Sequence, residues 1–251
     1  MTLKLFAWCV FVSVITAVTP AFAEQVLVAV AANFVPPFRE IANEFETATG
    51  HNIRVAAGSS GNFYSQIKNG APFDVFFSAD MERPKLLEEE GLGVKETRFT
   101  YAIGRLVLWS PSADLMKGEE TLHSKKFKRL AFTNPKTAPY GLAAMQTLQK
   151  LELWESLQPK IVMGENIGQT MGFIESGNAD LGFVALSQAL DPRIKGQGSR
   201  WDIPTNLHEP IKQDVILLTK GKDNPAAHAL MEFIAGPQTK SIIERYGYGM
   251  K

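Results

Sequence analysis

Four short stretches hold the residues whose types and spacing could do chemistry: Ala31-Ala32-Asn33, Gly58-Ser59-Ser60-Gly61, Ala138-Pro139-Tyr140-Gly141 and Glu165-Asn166-Ile167-Gly168. Each lies where a helical pattern begins, the first two directly behind a strand-like run. Each therefore offers backbone N–H groups at a helix N-terminus, which lack an intrahelical partner and sit at the positive end of the helix dipole. Serine hydroxyls and an asparagine amide add donors. None of the four contains Lys, Arg or His. This donor set suits an anion held by aligned dipoles without an ionised side chain. Ser, Asn and Gly are also ordinary helix-cap residues, so one such turn means little. Four in one chain carry weight if the fold brings them together.

The chemistry narrows the anion. Phosphate near neutral pH carries a proton, and a site for it calls for an acceptor such as a carboxylate. The one strong acceptor in the four turns is Glu165, which reads as a helix-start charge pointing away from a ligand. An unprotonated dianion fits the donors better. Sulfate and larger tetrahedral oxyanions both remain open on this reading.

The elements that must position these turns alternate. "VLVAVAA" (26–32) is a continuous apolar run, the mark of a strand buried on both faces. Phe38, Ile41, Ala42 and Phe45 then form a helical stripe, with Pro36 and Pro37 tolerable only in its first turn and Gly50 closing it. "NIRVAA", "FDVFFSAD", "IGRLVLWS", "KRLAFTNP", "KIVMG", "ADLGFVAL" and "DVILLTK" read as further strands. The helices between them include "GNFYSQIKNG", "GLAAMQTLQKLELW" and "NIGQTMGFIESG", and two more close the chain. The strand–helix rhythm occurs twice, with a break near residue 103. This predicts an α/β fold of two lobes, each a mostly parallel sheet flanked by helices, with the C-terminal segment crossing back to the first lobe. The expected division is a signal peptide at 1–23, lobe 1 at 24–103 plus 214–251, and lobe 2 at 104–213. Such lobes place a ligand in the crevice at the carboxyl ends of their strands.

Of 251 residues 45% are hydrophobic, ample for such a core. Basic and acidic side chains number 26 each, so no global field steers the chain toward nucleic acid or an anionic membrane. The N-terminus reads as a secretory signal: Lys4, an apolar run from Leu5 to Val18, then Ala21-Phe22-Ala23 as an A-x-A cleavage site. The run is shorter than the roughly 20 apolar residues of a membrane span. Cleavage near Ala23 would remove Lys4, leaving a net charge of −1, and would also remove Cys9, the single cysteine. The mature chain is then an exported protein that cannot form a disulfide. Catalysis is not expected. Ser60 could be a nucleophile, but His51, His123, His208 and His228 show neither a triad pattern nor metal-ligand spacing, and read as surface or capping residues. No catalytic residue, no cofactor and no direct cation ligand is expected.

Several stretches carry a family resemblance: "VAVAANFVPPFREIANEFETATG", "AAGSSGNFYSQIKNGAPFDVFFSAD", "FTNPKTAPYGLAAMQTLQKL", "NADLGFVALS" and the ending "IAGPQTKSIIERYGYGMK". Over essentially the whole mature length the chain resembles the periplasmic molybdate-binding proteins of ABC transporters, the ModA type. The resemblance implies a type II periplasmic-binding fold and a monomer that captures molybdate or tungstate between its lobes. It also implies delivery to a membrane permease. The ligand residues it implies are Asn33 and Ser60 from the first two turns, with backbone donors at Tyr140 and Ile167. A departure from the family pattern is Ala185, where many members carry a ligand-binding Tyr. Asn33 is the expected replacement donor, with the Tyr140 phenol expected nearer the cleft mouth. Another tetrahedral oxyanion such as sulfate is the alternative ligand, and an enzyme on the same fold the more distant one.

Overall fold

The computed structural model describes residues 23–250; the signal-peptide reading lies outside that range. The chain builds two five-stranded sheets. One contains β1 (Gln25–Ala31), β2 (Asn52–Gly58), β3 (Val75–Phe77), β4 (Phe99–Gly104) and β10 (Ile211–Leu217). Their order is β2-β1-β3-β10-β4. The second contains β5 (Leu106–Ser110), β6 (Leu130–Thr133), β7 (Ile161–Gly164), β8 (Leu181–Ala185) and β9 (Ser199–Asp202), ordered β7-β6-β8-β5-β9. The helices are α1 (Val35–Thr49), α2 (Ser60–Lys68), α3 (Glu82–Glu89), α4 (Glu120–Ser124), α5 (Pro139–Lys150), α6 (Trp154–Leu157), α7 (Ile167–Glu175), α8 (Leu186–Ala189), α9 (Pro225–Ala235) and α10 (Pro237–Arg245).

Strand direction refines the expectation of mostly parallel sheets. In each sheet four strands point one way and one runs against them: β10 in the first, β5 in the second. Both odd strands are reached directly from the other sheet. β5 follows β4 after the single residue Arg105, and β10 follows the 203–210 connection from β9. Neither arrives through the helical crossover that a parallel neighbour requires, so each enters antiparallel. These two passages are the chain's crossings between lobes.

β1 shows why an uninterrupted apolar strand forms here. Its alternate residues face opposite sides. Val26, Val28 and Val30 pack with Phe38, Ile41 and Phe45 of α1 and with Leu230 and Ile243 of α9 and α10. Ala29 faces the other way, onto Phe63 and Ile67 of α2 and Phe76 of β3. The proline pair sits in the first turn of α1, and Gly50 ends that helix at φ 73°, a left-handed cap that costs glycine least. The second sheet repeats the division. Leu106 and Leu108 of β5 pack with Ala144 and Leu148 of α5, while Val107 and Trp109 pack with Met171 and Ile174 of α7. The helix expected to continue through Trp154 stops at Lys150, because Glu152 takes a positive φ of 57° and α6 starts afresh.

Candidate functional site

The carboxyl ends of β1 and β2 face the N-termini of α5 and α7 across a small cavity. Asn33, Ser60, Tyr140 and Ile167 all line it, with Ala79 and Ser59 between them, and no lining residue is ionisable apart from the Tyr140 phenol. A larger groove adjoins, lined by Arg39, Glu175, Asp191 and Arg193 among others. There Arg193 is already paired with Asp191 at 2.8 Å. The small neutral cavity, rather than the charged groove, offers converging free donors.

The local sequence sets each donor. Ser59 is the N-cap of α2, its Oγ accepting from the Asn62 N–H at 3.4 Å. Ser60 is the first residue of the helix and is free of that duty. Its Oγ accepts from the Ala79 N–H at 2.8 Å, which fixes the oxygen and leaves the hydroxyl proton to donate. α5 starts with Pro139, which has no N–H to satisfy, and its N-cap Ala138 supplies no side-chain cap. α7 is capped by Asn166, whose Oδ1 accepts from Gln169 N–H at 3.0 Å. Among the described residues no acceptor reaches the backbone N–H of Ser60, Tyr140 or Ile167. Three helix N-termini thus present unpaired donors to one small space.

Asn33 is different. It lies in a short 3-10 turn between β1 and α1, and its Nδ2 donates to Gln213 Oε1 at 2.8 Å and to the Tyr248 hydroxyl at 3.0 Å. Both amide protons point away from the cavity, into a buried polar network. The Asn33 carbonyl accepts from Ser187 Oγ at 2.7 Å and from the Tyr248 hydroxyl at 2.8 Å. Gln213 Nε2 donates to the Tyr140 hydroxyl at 3.2 Å, and the Tyr101 hydroxyl lies 2.9 Å from Gln213 Oε1. The Tyr140 phenol is therefore not at the cleft mouth; the ring is 2% exposed. Gly104 makes this possible, because a Cβ there would lie 2.2 Å from the Tyr140 hydroxyl and 2.5 Å from Gln213 Nε2. Ala185 is wholly buried in the apolar cluster that includes Tyr140 and Ile167.

Sequence reading misses Gln213, Tyr248, Ser187 and Tyr101. For Gln213 a signal exists: it is a polar residue inside "IKQDVIL", a strand that starts at Ile211 rather than at Asp214 as expected. Gln213 and Asp214 are both fully buried, and buried polar residues are there for a partner. His208 likewise is buried rather than on the surface, with Nδ1 2.7 Å from the Glu209 carbonyl.

Burial pushes the Tyr101, Tyr140 and Tyr248 phenols well above their ordinary range of about 10. They stay protonated wherever the protein is folded near neutral pH. Because the folded values are raised, the unfolded chain loses these protons first. Their contribution to stability is intact below about pH 10 and falls as pH climbs from there toward the folded values. Melting temperature is expected to fall steeply above about pH 10, and less steeply in Tyr140→Phe, which removes one of the phenols. Thermal melts of both proteins across this range check it. A decline equally steep in both would contradict the assignment.

The lobes touch over the cavity. Gly61 N–H donates to the Thr137 carbonyl at 2.8 Å, and Arg83 Nη2 donates to the Lys136 carbonyl at 3.3 Å. Arg83 is also ion-paired with Asp80. Deeper in, Ser187 joins Asn33 across the lobes.

The chain matches the family described as bacterial extracellular solute-binding protein over residues 26–249. It is 51% identical over 233 residues to a molybdate-binding protein ModA of Azotobacter vinelandii, covering 92% of each chain. It is 46% identical over 229 residues to the protein of that name from Rhodobacter capsulatus, covering 91% of this chain and 90% of the relative. A solved periplasmic molybdate-binding protein of Azotobacter vinelandii superposes with a TM-score of 0.87 at 40% identity, covering 90% of this chain and 99% of that one.

Proposed function

The chain belongs to the bacterial extracellular solute-binding proteins, and from that premise we propose that it captures molybdate or tungstate in the inter-lobe cavity and delivers it to an ABC permease. The observation that carries the reading is the donor set: unpaired N–H groups at Ser60, Tyr140 and Ile167 and the Ser60 hydroxyl, around a space without an ionised side chain. The relatives at 51% and 46% identity bear the name of molybdate-binding proteins. Such donors favour an anion that needs no proton acceptor. Asn33 lines the same space, and its role depends on which way its amide faces.

The binding cycle follows from the two lobes. Ser60 lies on one, Tyr140 and Ile167 on the other, so an oxyanion that touches all of them bridges the cleft. It favours the closed arrangement by its differential affinity for closed over open. The closed form is then the one the permease receives. The protein acts without catalysis or a cofactor, as an exported monomer in the periplasm, its signal removed near Ala23, with no nucleic-acid partner.

The test is a calorimetric titration of the mature apo protein with molybdate, tungstate, sulfate and phosphate. Molybdate and tungstate are expected to bind more tightly than sulfate and phosphate by well over tenfold, that is, over about 1.4 kcal/mol. A cavity shaped to the larger ions leaves sulfate with long hydrogen bonds to fixed donors. Sulfate binding within that factor of molybdate would move the assignment to the alternative, a general tetrahedral-oxyanion carrier.

A further inference from the structure

The hydroxyl and amide protons around Asn33 are paired in their present arrangement, but the pairing spends both Asn33 amide protons inside the network. Tyr101 has one hydroxyl proton and faces two acceptors, the Ser78 carbonyl at 3.1 Å and Gln213 Oε1 at 2.9 Å. The Tyr140 hydroxyl accepts from Gln213 Nε2, so its own proton must turn to another hydroxyl. Asn33 Nδ2 is spent on Gln213 and Tyr248, and among the described residues no donor reaches its Oδ1. No buried side-chain oxygen lacks a partner, so that Oδ1 is open to the cavity that Asn33 lines. A carbonyl oxygen aimed at an anion site repels the ligand.

Amide direction is decided by the hydrogen bonds around it, and here the two amides are coupled. Turning both by half a rotation keeps the heavy-atom contacts, moves the single Tyr248 proton from the Asn33 carbonyl to Asn33 Oδ1 and frees both Asn33 Nδ2 protons. Gln213 Nε2 then donates to Asn33 Oδ1 and to the Tyr101 hydroxyl, whose proton goes to Ser78. The Tyr140 hydroxyl donates to Gln213 Oε1. The Tyr248 hydroxyl donates to Asn33 Oδ1, and Ser187 continues to donate to the Asn33 carbonyl. Both Asn33 Nδ2 protons now face the cavity. Asn33 alone cannot make this turn, because its Oδ1 would meet Gln213 Oε1.

We infer that Gln213 is a positioning residue whose side-chain amide turns together with that of Asn33 when an oxyanion binds, converting Asn33 from a carbonyl wall into a two-proton donor. The inference rests on the proposed oxyanion site and adds a residue that never touches the ligand. Gln213 lies on β10, the strand that returns between lobes, and it bonds Tyr140 of the opposite lobe. The turn therefore joins both lobes to the ligand's arrival. Asn33 needs Gln213 for this as much as it needs its own amide.

The experiment is NMR on isotope-labelled wild-type protein, free and saturated with molybdate, with calorimetry alongside. In the bound form the Gln213 side-chain amide protons should show nuclear Overhauser contacts to the Tyr101 ring and not to the Tyr140 ring, and the Asn33 amide pair should shift. Contacts that stay with Tyr140 while molybdate binds would overturn the inference and leave the oxyanion site standing. Absence of molybdate binding to the wild type would overturn both. Gln213→Glu supplies the second arm. An ionised carboxylate accepts but cannot donate, so at alkaline pH, where burial no longer keeps the introduced carboxyl protonated, it holds Asn33 in the carbonyl-out orientation. Affinity is expected to fall by roughly tenfold to hundredfold, the worth of a hydrogen bond to a charged group, with the Asn33 amide resonances no longer responding to molybdate. Binding within about threefold of wild type, under 0.7 kcal/mol, or an unchanged Asn33 response, would overturn it.

Discussion

Gly61→Ala is expected to leave the fold intact and to weaken oxyanion binding by about thirtyfold or more. Gly61 is the second residue of α2 and carries an ordinary helical backbone, so alanine suits it locally by about 1 kcal/mol. The obstacle is the other lobe. A Cβ at this position would lie 2.9 Å from the Thr137 carbonyl oxygen and 3.0 Å from its Cα. Both are backbone atoms that cannot swing aside, unlike the Arg83 guanidinium at 3.2 Å. The closed arrangement would lose the Gly61–Thr137 hydrogen bond, about 0.5–1.5 kcal/mol, and take on an overpacking cost of about 1–3 kcal/mol. With the lobes apart the added methyl meets only the Arg83 guanidinium, the movable end of a long side chain. The penalty therefore falls on closure and appears as lost affinity. Calorimetry with molybdate reads it directly, and small-angle scattering should show the wild type compacting on ligand addition more than the variant does. Affinity within about threefold of wild type, with equal compaction, would show that closure does not bring these turns together.

Two kinds of information in the chain explain what was legible before the structure. Local information was legible. Successive residues of β1 alternate between two cores, the valines all on one side, the proline pair marks the first turn of α1, and Ser59 and Asn166 precede helices they cap. The turns that line the cavity are legible for the same reason, since a free N–H at a helix start is a property of a few consecutive residues. Nonlocal information was not legible. Asn33 meets Gln213 across 180 residues and Tyr248 across 215, and no spacing rule links positions so far apart. Gln213 could still have been suspected as a polar residue in a strand due for burial, but its partners could not. The Tyr140 phenol illustrates the limit. Its place in the turn fixed the backbone N–H, whereas the direction of the side chain depended on Gly104 leaving room and on Gln213 supplying a donor.

The adjacent serines that open α2 provide a cleaner separation of ligand contact from helix capping than either alone. Ser59→Ala should cost about 1 kcal/mol of stability or less, because the cap bond it removes is long at 3.4 Å, and should leave oxyanion affinity near wild type. Ser60→Ala should act on affinity. The hydroxyl oxygen is held by the Ala79 N–H at 2.8 Å, so its proton has a defined direction, and the residue is 1% exposed. Removing a donor to a buried anion is expected to cost about 1.5–3 kcal/mol, which is roughly tenfold to a hundredfold or slightly more in Kd. Stability also falls by about 1 kcal/mol or more, since the Ala79 N–H loses its acceptor; the melting temperature drops in both variants and does not discriminate. The Kd does. The Ser60 backbone N–H survives the substitution, so some binding remains, and a complete loss would point to a displaced α2 instead of a missing hydroxyl. Should calorimetry find Ser59→Ala the more damaging of the two to molybdate affinity, the donor from this turn is the cap residue and the placement of Ser60 at the ligand is wrong.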